Sequence, residues 1–197
     1  AFAEDPVRIL RVARFAARFT DFSVAPETMA LMQSMVQAGE VAHLVPERVW
    51  QEISRGLMQA QPERMFAVLR ACGALAVLLP ELDRLWGVPQ RADYHPEVDT
   101  GVHTMLVLGQ AVQQQAPLAV RWACLVHDLG KGTTPADVLP RHIGHEQRGA
   151  KLVRQVCQRL RVPSECKELA ELVAYEHGNI HRSLDLSAAA VLRLLQR

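Results

Sequence analysis

The residues best suited to chemistry are histidines grouped around one carboxylate. His127 and Asp128 stand side by side where an apolar run ends, in RWACLVHDLGKG at 121–132. His103 lies near the start of one helical pattern, His145 opens another, and His177 closes a further one. Ligands on separate helix ends can meet only inside a bundle, and bundles do build metal sites from inward-facing side chains. Neutral imidazoles with a carboxylate suit a divalent first-row transition ion, and the oxygen ligation leaves room for Mn or Mg. Such an ion would acidify a water and polarise a phosphoryl oxygen. Lys131, three residues after Asp128 in a glycine-flanked turn, could neutralise a phosphate, and Gly132 lets backbone approach a ligand.

A plainer reading stands beside this one. A histidine at a helix end often only complements the helix dipole. That reading is the stronger for His145 or His177 taken singly. The adjacent His127–Asp128 pair, followed by Gly–Lys–Gly and with His103 one helix earlier, favours metal. Asp128 and Lys131 could instead make a surface ion pair. His95, His142 and His181 read as solvated or supporting, and His43 as ordinary.

A second constellation opens the chain, in AEDPVRILRVARFAAR at 3–18. Asp5 suits an N-cap and Pro6 a first helical position. Arg8, Arg11, Arg14 and Arg18 recur at three- and four-residue steps, so they share a face. Ile9, Leu10, Ala13 and Ala17 fall on the other. Clustered guanidiniums recognise phosphates by forked hydrogen bonds, although a basic stripe alone is often just a solvated face.

The elements that must position these groups all read as helix. Leu118, Trp122, Leu125, Val126 and Leu129 repeat at helical spacing; so do Val153, Val156, Cys157 and Leu160, and Leu169, Leu172 and Val173 after Pro163. Val49, Ile53 and Leu57 follow Pro46, and Phe66 and Leu69 follow Pro62, prolines that suit helix first turns. No sustained alternation suggests a strand. The fold class is therefore all-α, a helical bundle. The main break is GVPQRADYHPEVDTG at 87–101, which divides a helical segment 1–90 from a second unit 91–197. A further long loop spans 130–145, and long loops are usually functional or mobile.

With 197 residues, 49% of them hydrophobic, and a mean hydropathy of +0.01, the chain needs no disulfide or metal staple to fold. Its formal net charge of +1 gives no global attraction to nucleic acid or membrane. Four cysteines without a C-x-x-C pair read as reduced and cytoplasmic. No segment approaches a membrane span. Both ends fall inside structured-looking segments, so a piece of a longer polypeptide is expected.

The pattern His103 … His127–Asp128-x-Gly–Lys131 resembles the HD superfamily of metal-dependent phosphohydrolases. That likeness implies an all-helical domain acting on phosphomonoesters, cyclic phosphates or nucleotides. It implies a divalent ion (Mg, Mn, Ni or Co) held by His103, His127 and Asp128, with His145 or His177 completing the site or a second ion. His127, Asp128 and Lys131 would carry catalysis. The superfamily's last aspartate is not evident: Asp185, in RSLDLSAAA, looks like a cap, as does Ser187, and the true ligand is expected beyond Arg197.

The string Glu4-Asp5-Pro-Val-Arg8-Ile-Leu-Arg11-Val-Ala-Arg14-Phe closely resembles the nucleotide-selecting motif of class II tRNA nucleotidyltransferases, the CCA-adding enzymes. On that likeness Asp5 and Arg8 read the base of CTP or ATP with Glu4 in support. Arg11 and Arg14 contact the nucleotide or hold the motif in place. PERVWQE at 46–52 is similar to the family's neck, where Glu47 and Arg48 would be structural. Bacterial multifunctional members place an HD domain after this neck, so the two motifs in this order imply neck plus HD portion. Nothing in the chain resembles the polymerase head with its paired aspartates, which would use Mg for nucleotidyl transfer. The implied partners are tRNA, CTP and ATP, with no membrane; a homodimer is admitted. The implied hydrolase activities are 2′,3′-cyclic phosphodiesterase, 2′-nucleotidase and phosphatase. Two alternatives stay open: a tRNA-binding helical module without hydrolysis, and a free-standing HD hydrolase.

Overall fold

The computed structural model describes residues 5–93 and 96–196. Among them every regular element is helical: eleven α-helices and three short 3-10 turns, with no strand. The all-α expectation holds. No helix among the described residues is long and apolar enough to cross a membrane.

Helices begin where proline sits well. α2 (Pro26–Gln37), α3 (Pro46–Leu57), α4 (Pro62–Ala71) and the short α6 (Pro80–Asp83) each carry proline in the first turn, where its missing N–H costs nothing. α1 (Val7–Arg18) starts one residue later than the Asp5–Pro6 reading predicts, with Pro6 as its cap. The Asp5 side chain still serves that start, accepting from Val7 N at 3.2 Å. α1 buries Ile9, Leu10, Ala13 and Ala17, the apolar face that the spacing predicts, against α3 and α4. α5 (Ala74–Leu78) completes this half.

Five more helices build the rest: α7 (Thr100–Gln113), α8 (Leu118–Val126), α9 (His145–Arg159), α10 (Ser164–His181) and α11 (Ala188–Leu195). α8 packs between α7 and α10, and α9 lies along α10. One hydrophobic core runs through both halves of the chain. Trp122 of α8 is fully buried and meets Trp50 of α3 edge-on, with ring centroids 5.1 Å apart. Beside it, buried Arg121 donates Nη1 to the Leu57 carbonyl and Nε to the Ala116 carbonyl, each at 2.8 Å. The guanidinium thus satisfies a last-turn carbonyl of α3 that has no partner within its own helix.

Two features set the geometry of the second half. The two ends of the 87–101 segment are pinned to each other. Asp99 caps α7 by accepting from Val102 N at 2.9 Å and also accepts from Gly87 N at 2.6 Å, and Pro89 bridges Asp99. The second feature is the contact between the 3-10 turn Leu129–Thr133 and α9. A Cβ on Gly130 would stand 2.0 Å from the His145 carbonyl oxygen, so only glycine lets these two backbones touch. That contact seats His127 and Asp128 against the start of α9.

Arg121 ties the halves together through its bond to the Leu57 carbonyl. Arg121→Ala should therefore lower the unfolding free energy by about 2–4 kcal/mol, read as a shift in the urea midpoint. A change within about 0.5 kcal/mol would show that water satisfies that carbonyl.

Candidate metal centre

His127 caps the C-terminus of α8. Its Nδ1 faces the Cys124 carbonyl at 2.8 Å, and its Nε2 turns inward, 3.1 Å from Asp128 Oδ2. His145, the first residue of α9, repeats the arrangement: Nδ1 on the His142 carbonyl at 2.7 Å, Nε2 3.6 Å from Asp128 Oδ1. In His177, one turn inside the end of α10, Nδ1 meets the Val173 carbonyl at 3.1 Å and Nε2 lies 3.4 Å from Oδ1. His103, in the first turn of α7, sets Nδ1 on Glu97 Oε1 at 2.6 Å and Nε2 3.8 Å from Oδ2. Carbonyl and carboxylate oxygens only accept, so each Nδ1 carries the proton and each neutral ring presents its Nε2 lone pair inward. Fixing the outer nitrogen in this way is how proteins orient metal-binding imidazoles.

Two local conflicts mark the centre. His145 Nε2 and His177 Nε2 are 3.1 Å apart. With both outer protons committed, neutral rings would oppose their lone pairs unless a proton or a cation lay between them. Asp128 is 1% exposed, and neither of its oxygens has a hydrogen bond of good geometry. Lys131 Nζ is close, 2.7 Å from Oδ2, but as an ion pair off the hydrogen-bonding direction. The donors form two sets that share Asp128: His103, His127 and Asp128, and Asp128, His145 and His177, with ligand atoms within 4.8 Å of one another in each. Oδ2 faces the first set and Oδ1 the second. This donor chemistry fits one divalent ion or two.

Electrostatics follow from the same contacts. Burial alone would raise the Asp128 carboxyl, but His127, His177 and Lys131 outweigh it and hold the group well below its ordinary range. Burial likewise works to lower His177, yet its close contact with the Asp128 carboxylate reverses the sign and leaves it raised. In His103 and His145 burial prevails over the attraction of Asp128, and both are lowered.

The structure brings His103, His127, Asp128, Lys131, His145 and His177 together. The surface ion pair weighed for Asp128 and Lys131 is ruled out, because both residues are buried. His177 does not close its helix; α10 runs on to His181. His142 supports the loop, with Nδ1 2.7 Å from Thr134 Oγ1 and Nε2 3.0 Å from the Pro89 carbonyl. Asp185 is exposed, in a 3-10 turn, and Ser187 is the residue that caps α11. His95 and Glu4 lie outside the described residues. Sequence reasoning missed Glu97, whose only signal was an acid six residues before His103. It also missed Gln90, which accepts from Lys131 Nζ at 2.6 Å.

The arginine helix is organised differently. Arg11 and Arg18 are exposed. Arg14 Nε donates to buried Glu52 at 2.7 Å, which supports the holding alternative for this residue. Asp5 accepts from Arg48 Nη2 at 2.7 Å, and that hydrogen bond lowers its carboxyl. A cavity of about 290 Å³ is walled by Arg11, Arg14, Arg48, Arg55, Gln51 and Glu52.

Such a cluster, four imidazoles from α7, α8, α9 and α10 around one buried carboxylate, has counterparts among known proteins. Residues 100–195 match the HD domain family, and residues 21–85 match a family described as the probable RNA and SrmB-binding site of polymerase A. All 197 residues align at 79% identity with the multifunctional CCA protein of Paracidovorax citrulli, and at 75% with those of Acidovorax sp. strain JS42 and Cupriavidus necator. The chain is thus homologous along its whole length to multifunctional CCA proteins, and the HD domain match covers α7 to α11. It spans about half the length of these relatives, 46–48%.

Asp128 is what lifts His177. In metal-free protein, NMR should find His177 titrating above the ordinary 6.5 and His103 and His145 below it. Asp128→Asn should drop His177 below 6.5, since burial then acts without the carboxylate. An unmoved His177 would contradict the assigned cause.

Proposed function

We propose that the second half of the chain is a metal-dependent phosphohydrolase centred on Asp128. The observation that carries this reading is the convergence of four imidazole Nε2 atoms, from four helices, on one buried carboxylate with no hydrogen bond of good geometry. His103, His127 and Asp128 hold one ion, with His145 and His177 completing its shell or taking a second. Mg, Mn, Ni and Co all suit mixed imidazole and carboxylate ligation. When bound, the ion supplies Lewis-acid polarisation of a phosphoryl oxygen and a more acidic water. The chain's own residues do the rest. A cavity of about 610 Å³ beside the centre, lined in part by Lys131, His145, Arg141 and Arg182, receives an anionic ester. Lys131 offsets the charge that builds on the phosphoryl oxygens. The four outer hydrogen bonds keep the rings from rotating. Candidate substrates are 2′,3′-cyclic phosphates, 2′-nucleotides and simple phosphomonoesters.

The first half is read with the relatives' name. In the full-length protein it serves the addition of CCA to tRNA 3′ ends, with Asp5 and Arg8, and Glu4 in support, selecting CTP and ATP. Arg11 lines the adjoining cavity and Arg14 braces the helix against Glu52. The nucleotidyl transfer itself, with its Mg, belongs to a head domain that these residues do not resemble. A cytoplasmic setting suits the four free cysteines, three of them buried, with burial pushing Cys157 up to about 11.

His127→Ala in the full-length protein should lower hydrolysis of a 2′,3′-cyclic nucleotide by more than about 100-fold, and chelation of the wild type should do the same; unchanged turnover in either case removes the hydrolase. Asp5→Ala should lower CTP and ATP incorporation by about 10–100-fold, the worth of a charge-assisted hydrogen bond, with hydrolysis intact. Undiminished incorporation would take Asp5 out of base selection.

A further inference from the structure

Lys131 is held from two sides. Its ammonium lies 2.7 Å from Asp128 Oδ2 and 2.6 Å from Gln90 Oε1. Gln90 comes from the pinned segment before α7, forty-one positions away in the chain. Its backbone N–H donates to the Val98 carbonyl at 2.6 Å, and its neighbour Pro89 bridges Asp99. The residue is 3% exposed.

The orientation of its amide is forced. An ammonium has three donors and no acceptor, so Gln90 must turn its oxygen to Lys131. Its Nε2 is then left buried without any acceptor. A buried amide that gives up half its hydrogen bonding is retained where something other than stability sets its position. What it sets is the position of a charge. Asp128 alone would draw the ammonium wholly into the ligand cluster. Gln90 also lines the large cavity, beside Lys131, Arg91, Arg141 and Arg182, and holds the ammonium to that side.

We propose that Gln90 is the positioning residue that keeps Lys131 facing the cavity, so that its ammonium meets the phosphate group of the ligand instead of being spent on Asp128. The proposal rests on the phosphohydrolase reading for the identity of the ligand, a phosphate ester. The predicted geometry does not depend on turnover, because it acts on binding.

The test titrates inorganic phosphate into the full-length protein by calorimetry, both loaded with manganese and metal-free. The variants are Gln90→Met, which keeps the volume but lacks the acceptor, Lys131→Ala, and the two combined. Gln90→Met should weaken phosphate binding about tenfold. The double variant should bind no more weakly than Lys131→Ala alone, because Gln90 acts only through Lys131. Manganese stoichiometry and the thermal midpoint of Gln90→Met should match the wild type. Wild-type phosphate affinity in Gln90→Met would overturn the proposal; so would losses that add fully in the double variant, or a wild-type protein that binds no phosphate. Failure of the hydrolase reading looks different. In that case the wild type takes up no manganese, and the metal-free titrations still decide the role of Gln90.

Discussion

A carboxylate taken almost wholly out of water governs the second half of this molecule. Burying such a charge costs several kcal/mol unless it is compensated. Around Asp128 the compensation is crowded and incomplete: one ammonium, four imidazole nitrogens, and no well-aligned hydrogen bond to either oxygen. Without metal, the arrangement depends on Lys131 and on the imidazoles around the carboxylate, whose contact raises His177. A divalent cation held by these residues would answer both conflicts, offering the carboxylate a partner and the His145 and His177 Nε2 lone pairs a common acceptor.

The helices can be understood as the frame this cluster needs. α7, α8, α9 and α10 each deliver one imidazole, three of them at or near a helix end. The Cys124 carbonyl in the last turn of α8 and the His142 carbonyl in the loop before α9 take the Nδ1 protons of His127 and His145. Backbone contact at Gly130 fixes the distance between the His–Asp pair and α9. Arg121 and the Trp50–Trp122 contact then join this frame to the arginine-bearing half, so Asp5 and Arg8 and the Asp128 cluster are attached to one core.

Much of this was legible in the sequence because periodicity reports which face a helix buries. The apolar arc of α1 and the prolines opening α3 and α4 came out as read, and the histidines singled out around His127–Asp128 do converge. What periodicity does not report is which faces meet. Arg14 looked like a member of a free basic stripe, but Glu52, thirty-eight positions on, claims it. Asp128–Lys131 could pass for a surface pair until the packing of α8 and α10 sealed it. Glu97 carried only its place six residues before His103 and Gln90 no signal, since a loop acid and a loop amide acquire a role only from partners that tertiary structure brings near. The start of α1 shifted by one residue because Pro6 fills the cap position while Asp5 accepts from Val7.

Anomalous diffraction from crystals of the manganese-loaded protein tests the central claim most directly. A peak is expected among His103, His127, Asp128, His145 and His177, within about 2.0–2.3 Å of imidazole Nε2 and Asp128 oxygens. A peak bound elsewhere, or an empty cluster with the rings turned apart under saturating metal, would contradict it.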